Sequence, residues 1–123
     1  MHSRGFTLIE MMVVMVVVAL LLTIATPRYI HSLDRARETV LRENLTLIRD
    51  ALDKYFSDHG RYPDGLPELV SRRYLRALPV DPLTDSSETW LTVAPDRGEL
   101  GGVYDVHSGA EGEASTGIPY GEL

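Results

Sequence analysis

From Phe6 to Thr26 the chain reads FTLIEMMVVMVVVALLLTIAT, and Glu10 is the only charged residue in that run. As a helix rising about 1.5 Å per residue, the segment is long enough to cross a hydrocarbon core of roughly 30 Å. A stretch this apolar needs lipid or other helices around it. What remains of the 123 residues suffices for one small domain with a modest core. Glu10 is the exception inside the run. A charge near the centre of a membrane helix costs roughly 2.5–3.5 kcal/mol on insertion scales, and such residues usually have a partner. Two readings are open: Glu10 snorkels unaided to the headgroups, or a positive group meets it.

A secretory signal peptide would use His2 and Arg4 as its basic end and Met11 to Ile24 as its apolar core. The run exceeds the usual length of such a core, and Pro27-Arg28 follows it directly. Cleavage near Ala25-Thr26-Pro27 is poorly placed but open. The other reading is a retained anchor with the basic leader on the cytoplasmic side. Arg28, Arg35 and Arg37 flank the far end, so the charge bias behind that orientation is weak.

The net charge of −6 and sequence pI of about 5.1 argue against a nucleic-acid partner. Every Lys and Arg except Arg97 lies at or before Arg76, which leaves the last third acidic. The absence of cysteine excludes a disulfide scaffold, a thiolate metal site and a cysteine nucleophile. His2, His31, His59 and His107 lack zinc-ligand spacing. Ser86, Ser87 and Ser108 lack a nucleophile elbow, and no phosphate-binding glycine motif occurs. The residues therefore read as no enzyme.

Beyond the apolar run, Leu41, Leu45, Ile48, Leu52 and Tyr55 recur at helical spacing among charged residues. Glu38 and Arg42 form an i,i+4 pair in the favourable order. The pattern predicts one helix from Phe6 to Asp58, kinked near Pro27 and stopped by Gly60, with its first half in the membrane and its second half amphipathic. HGRYPDGLPEL reads as a loop, Pro67 to Arg73 as a short helix, and Tyr74, Leu75 and Leu78 as anchors of a longer loop. Thr89–Pro95 and Gly102–Ser108 read as strands of an antiparallel hairpin turning at Asp96-Arg97-Gly98-Glu99. The end, GAEGEASTGIPYGEL, reads as irregular.

RGFTLIE followed by an apolar run resembles the N-terminal signal of the type IV pilin-like family. ALDKYFSDHGRYPDGLPEL, YLRALPVDP and VYDVHSGAEG resemble, within that family, the major pseudopilins of type II secretion systems. Asp81-Pro82-Leu83-Thr84 departs from the Asp-Pro-Trp-Gly usual there, and Trp90 comes later. The resemblance implies an α+β, pilin-like lollipop: one long N-terminal helix, transmembrane and then amphipathic, packed on a small antiparallel β-sheet. It implies a prepilin leader over 1–5, a transmembrane helix over 6–26 and a periplasmic domain over 27–123. A prepilin peptidase would cut between Gly5 and Phe6 and methylate the new Phe6 amine. Glu10 would pair with that amine on a neighbouring subunit.

The implied function is a structural subunit of a periplasmic pseudopilus, anchored in the bacterial inner membrane and driving export across the outer membrane. The implied partners are further copies of the chain in a homopolymeric filament, minor pseudopilins, an assembly ATPase, an inner-membrane platform protein and membrane lipid. Major pseudopilins of this kind often bind Ca2+ in the C-terminal loop, which points to Ser108, Glu111 and Glu113 here. Glu111 stands where the family has Asp, and its later aspartates have no equivalents, so a solvated acidic tail is equally open. A type IV pilin for adhesion, motility or DNA uptake is the alternative within the family. Outside it the alternative is a monomeric membrane-anchored binding domain. The lack of cysteine fits a pseudopilin better than a pilin, which usually closes a C-terminal disulfide loop.

Overall fold

A computed structural model describes residues 5–123; Met1 to Arg4 of the predicted leader, His2 among them, lie outside the described residues. Helix α1 runs Leu8–His59, close to the predicted span. Pro27 lies inside it and does not end it. The Thr23 and Thr26 hydroxyls around that position turn back onto the Ala19 and Leu22 carbonyls, both at 2.8 Å. The helix stops where the glycine predicts. Gly60 takes a left-handed φ of +72° and donates its N–H to Phe56 O at 2.8 Å.

The chain divides into two units, one ending at Asp34 and one spanning Arg35–Leu123. In the first, the apolar side chains from Leu8 to Ile24 are all exposed. The second contains the core. Leu41, Leu45, Ile48, Ala51, Leu52 and Tyr55 of α1 bury against Leu66, Leu69, Leu75, Trp90, Val103 and Val106. The predicted apolar face is therefore the core face, and Leu75 is the buried anchor among the three predicted. Glu38 and Arg42 meet at 3.0 Å, with Glu38 buried.

The short helix, α2, covers Leu66–Ser71, starting one residue earlier and ending sooner than Pro67–Arg73. Arg73 leaves it in the left-handed region at φ +64°, which is why the helix cannot continue there. The predicted hairpin is present but its strands are shorter. Strand β1 is Leu91–Val93 and β2 is Asp105–His107, antiparallel in the register Leu91↔His107, Thr92↔Val106 and Val93↔Asp105. The flanking residues bond elsewhere. The Gly102 and Val103 N–H groups both reach Pro63 O, and the Trp90 indole donates to Pro79 O. The predicted turn at 96–99 is instead part of a wider connection with a 3-10 turn at Gly98–Leu100.

The C-terminal segment is more ordered than its composition suggests. Glu113 and Pro119 pair as an antiparallel bridge, Ala114 N–H reaches Ile118 O at 2.8 Å, and a 3-10 turn closes Tyr120–Glu122. Ala114 between them is buried.

Candidate functional site

The head of α1 is built by its capping residue. Thr7 precedes the helix, its Oγ1 accepts the Glu10 N–H at 3.2 Å, and its carbonyl accepts the Met11 N–H at 3.2 Å. This is the helix-start pattern Thr-x-x-Glu, with Glu10 as the third helical residue. The pattern is present in RGFTLIE, where the resemblance counts Thr7 only as a position of the N-terminal signal. A carboxylate in a first turn also faces the positive end of the helix dipole. Glu10 therefore suits its local backbone even though it is costly in lipid.

Gly5 and Phe6 lie just before the helix, outside any helix or strand, and Phe6 is 83% exposed. Among the described residues nothing approaches within 4 Å of a side chain built on Gly5. Among the described residues no cation lies within ion-pair distance of Glu10, which is exposed. The site has a carboxylate with no partner within its own chain over 5–123, and an apolar helix surface with none.

The residues expected to hold calcium fall into different environments. Ser108 is fully buried, and its hydroxyl donates to Asp81 Oδ2 at 2.5 Å while accepting the Ala110 N–H at 3.1 Å. Glu111 and Glu113 are exposed. Among the described residues no group of three or more His, Asp or Glu side chains is placed to hold a metal ion. Asp81 was singled out only as part of a motif. It proves to be a fully buried hub whose Oδ1 also takes the Leu83 N–H at 2.9 Å. The sequence signal was an Asp beside Pro in a turn-rich loop, a typical side-chain-to-backbone capping position.

Two side chains of α1 hold the C-terminal segment. Glu38 Oε2 accepts the Ser115 N–H at 3.0 Å. That bond holds the Glu38 carboxyl below its usual pKa against the opposing effect of burial, with Arg42 assisting. Arg49 reaches Asp105 Oδ1 at 2.8 Å, Val106 O at 2.9 Å and Leu123 O at 2.7 Å. The three described histidines form no cluster. His31 is exposed, His59 lies 3.2 Å from the Tyr74 hydroxyl, and His107 lies 3.3 Å from Leu123 O.

Comparison with known proteins adds to this geometry. Residues 1–26 match the family model of the prokaryotic N-terminal methylation motif. The chain is 34% identical to the type II secretion system core protein G of Pseudomonas aeruginosa, over 91% of this chain and 87% of that protein. It is 30% identical to the protein of the same name from Escherichia coli strain K12, over 93% and 86% of the two chains. It is also 36% identical to the type IV major pilin protein PilA of Myxococcus xanthus, but only over 55% of this chain and 31% of the pilin. No solved structure matches.

Proposed function

Because the chain belongs to the type II secretion system core protein G family, we propose that it is the structural subunit of a pseudopilus, packing through its N-terminal helix. The observation that carries the reading is the single helix α1. Its first half exposes apolar side chains from Leu8 to Ile24, while its second half supplies the core of a folded unit. A helix so divided fits a subunit that waits in a membrane and then stacks with its copies.

In this reading a prepilin peptidase cuts the peptide bond between Gly5 and Phe6. Ordinary signal cleavage would discard the apolar helix; cleavage before Phe6 keeps it. The new Phe6 amine, then methylated, is a cation at the head of the helix. Glu10 lies one helical turn further on. A neighbouring subunit's amine meets it only when the two helices are set at the right depth, since any other depth leaves charges unpaired in a low-dielectric surrounding. Lipid gives helices no hydrophobic reason to associate, so close packing of Val13, Val14, Val17, Leu20 and Leu21 supplies the remaining attraction. The subunit sits in the inner membrane with residues 27–123 in the periplasm. An assembly ATPase, a platform protein and minor pseudopilins act on it, because this chain carries no phosphate-binding motif of its own.

The type IV pilin alternative rests on a likeness that covers 31% of that pilin, against 87% of the secretion protein. The test is the mass of the N-terminus purified from its own host, together with shearing and microscopy of cells that overexpress the chain. A methylated Phe6 terminus and sheared filaments that disappear when the secretion genes are deleted are expected. A chain beginning near Pro27, or one that never crosslinks helix to helix in cells, overturns the reading.

A further inference from the structure

We infer that the C-terminal segment from Ser108 to Leu123 is closed by the protein's own side chains and keeps its fold without a divalent cation, Glu38 and Arg49 of α1 providing the tie. The pseudopilin resemblance assigns that work to calcium, and the donor set of this chain does not fit it. Calcium takes six to eight oxygens, several of them carboxylate. Ser108 Oγ is already shared between Asp81 and the Ala110 N–H. Asp81 is fully buried and has one oxygen on Ser108 and the other on the Leu83 N–H. Glu111 and Glu113 are exposed and make no side-chain hydrogen bond or ion pair among the described residues.

Three backbone carbonyls of the segment are likewise engaged. The Gly112, Ala114 and Ile118 carbonyls accept the N–H groups of Tyr120, Gly117 and Ala114, at 3.1, 2.9 and 2.8 Å. No buried side-chain nitrogen or oxygen among the described residues is left without a partner. A cation entering at Ser108 would displace hydrogen bonds that are already made, and of the expected ligands only the exposed Glu111 and Glu113 carboxylates are free to meet it, short of the six to eight oxygens calcium takes.

The tie has both signs of charge. The buried Glu38 carboxylate takes the Ser115 N–H through one oxygen and Arg42 through the other, both at 3.0 Å. The half-buried Arg49 guanidinium gathers Val106 O, Leu123 O and Asp105 Oδ1. A cationic fork on carbonyl oxygens supplies the positive charge that a metal supplies in other loops. Both residues are close in sequence to the core residues Leu41, Leu45 and Ile48 of α1, so the tie is anchored beside the buried core of the unit.

The experiment is limited proteolysis of the full chain in detergent, with fragments weighed for cuts within 108–123. It is run in EDTA, in magnesium and in calcium at about 1 mM, the weak end of extracellular calcium sites. Equal cleavage rates in all three are expected. Glu38→Ala and Arg49→Met should each speed cleavage about tenfold or more, since each loses a charge-assisted bond, and calcium should not rescue either. The fluorescence of the buried Trp90 reports whether the rest of the unit stands; where it is lost, Glu38→Gln, which keeps an acceptor, decides in place of Ala. Slower cleavage in calcium than in magnesium, saturating with concentration, overturns the inference. So do wild-type cleavage rates in both Glu38→Ala and Arg49→Met.

Discussion

The Tyr55 hydroxyl donates to Glu68 Oε1 at 2.7 Å, while Oε2 of the same carboxylate accepts the Asp64 N–H at 2.7 Å. One side chain thereby joins the last turns of α1, the loop after it and α2. The hydrogen bond from Tyr55 and then that from Asp64 hold the Glu68 carboxyl below its ordinary value of 4.5. The Ser115 N–H does the same for Glu38.

The acid limb of stability follows from those two carboxylates. A group whose folded pKa is depressed stabilises fully above its unfolded value and loses that contribution as the pH falls through the folded one. The melting temperature of the full chain should therefore hold steady above about pH 5 and drop below the ordinary carboxylate range. Tyr55 and Tyr74 carry the opposite sign. Hydrogen bonds to Glu68 and Asp58 raise them above 10.0, so their contribution is present below that value and lost as the pH climbs through the raised ones. Glu68→Gln should melt lower at pH 7 and lose less on acidification than the wild type. An identical acid drop in both proteins would show that Glu68 is not a source of it.

Position on α1 decides the cost of losing a leucine. Leu45 is 1% exposed and Leu47 is 50% exposed on the same helix. Leu45→Ala should cost about 2–5 kcal/mol in chemical unfolding, from lost burial and the cavity left behind. Leu47→Ala should stay within about 0.5 kcal/mol. Equal losses would mean that Leu47 is covered in the folded unit.

Much of this was legible because it repeats. The spacing Leu41, Leu45, Ile48, Leu52, Tyr55 gave both the helix and its core face, and Gly60 gave its end. The second strand is shorter than its pattern suggests, because Gly102 and Val103 give their backbone N–H groups to Pro63 across loops. No local pattern announces such bonds. The order of the C-terminal segment was missed for the same reason. It depends on Glu38 finding Ser115 and Arg49 finding Leu123, positions 77 and 74 residues apart. At the head of α1 the motif alone singles out Gly5, Phe6 and Glu10, whereas the capping bond of Thr7 is legible only from the Thr-x-x-Glu spacing.

Two nearby glycines should respond oppositely to alanine. Gly101 has φ +113°, and a Cβ there would overlap the Tyr62 carbonyl oxygen. The same contact region carries the bond from Tyr62 N–H to Leu100 O. Gly101→Ala should lower stability by more than about 1 kcal/mol, since both the backbone and the space oppose it. Gly98 has nothing within 4 Å of its added carbon, so Gly98→Ala should be neutral or stabilise by up to about 1 kcal/mol through the unfolded chain. Thermal unfolding of both variants is the measurement; a harmless Gly101→Ala would refute the close approach of the two loops.

The last prediction separates the processing of the N-terminus from its assembly. Glu10 donates its backbone N–H to Thr7 Oγ1, and alanine keeps that N–H. Glu10→Ala therefore removes the carboxylate while leaving the cap of α1 in place. Loss of a charge also makes the helix easier to insert. On the proposed processing, the variant should enter the membrane and be cut before Phe6, because the peptidase would meet a single free subunit. It should then build no filaments, or build them with subunits at mixed depth, because no acid meets the neighbour's amine. Glu10→Gln keeps the size without the charge and should behave like alanine. Glu10→Asp keeps the charge on a shorter arm and should fall between. Gly5 replaced by a bulky residue should give the reverse phenotype, full-length precursor with Glu10 intact. Cleavage is read by blot, and filaments by shearing and microscopy. Normal filaments from Glu10→Ala would leave the carboxylate with no part in registration, and its place near the headgroups would be explained by the helix dipole and water alone.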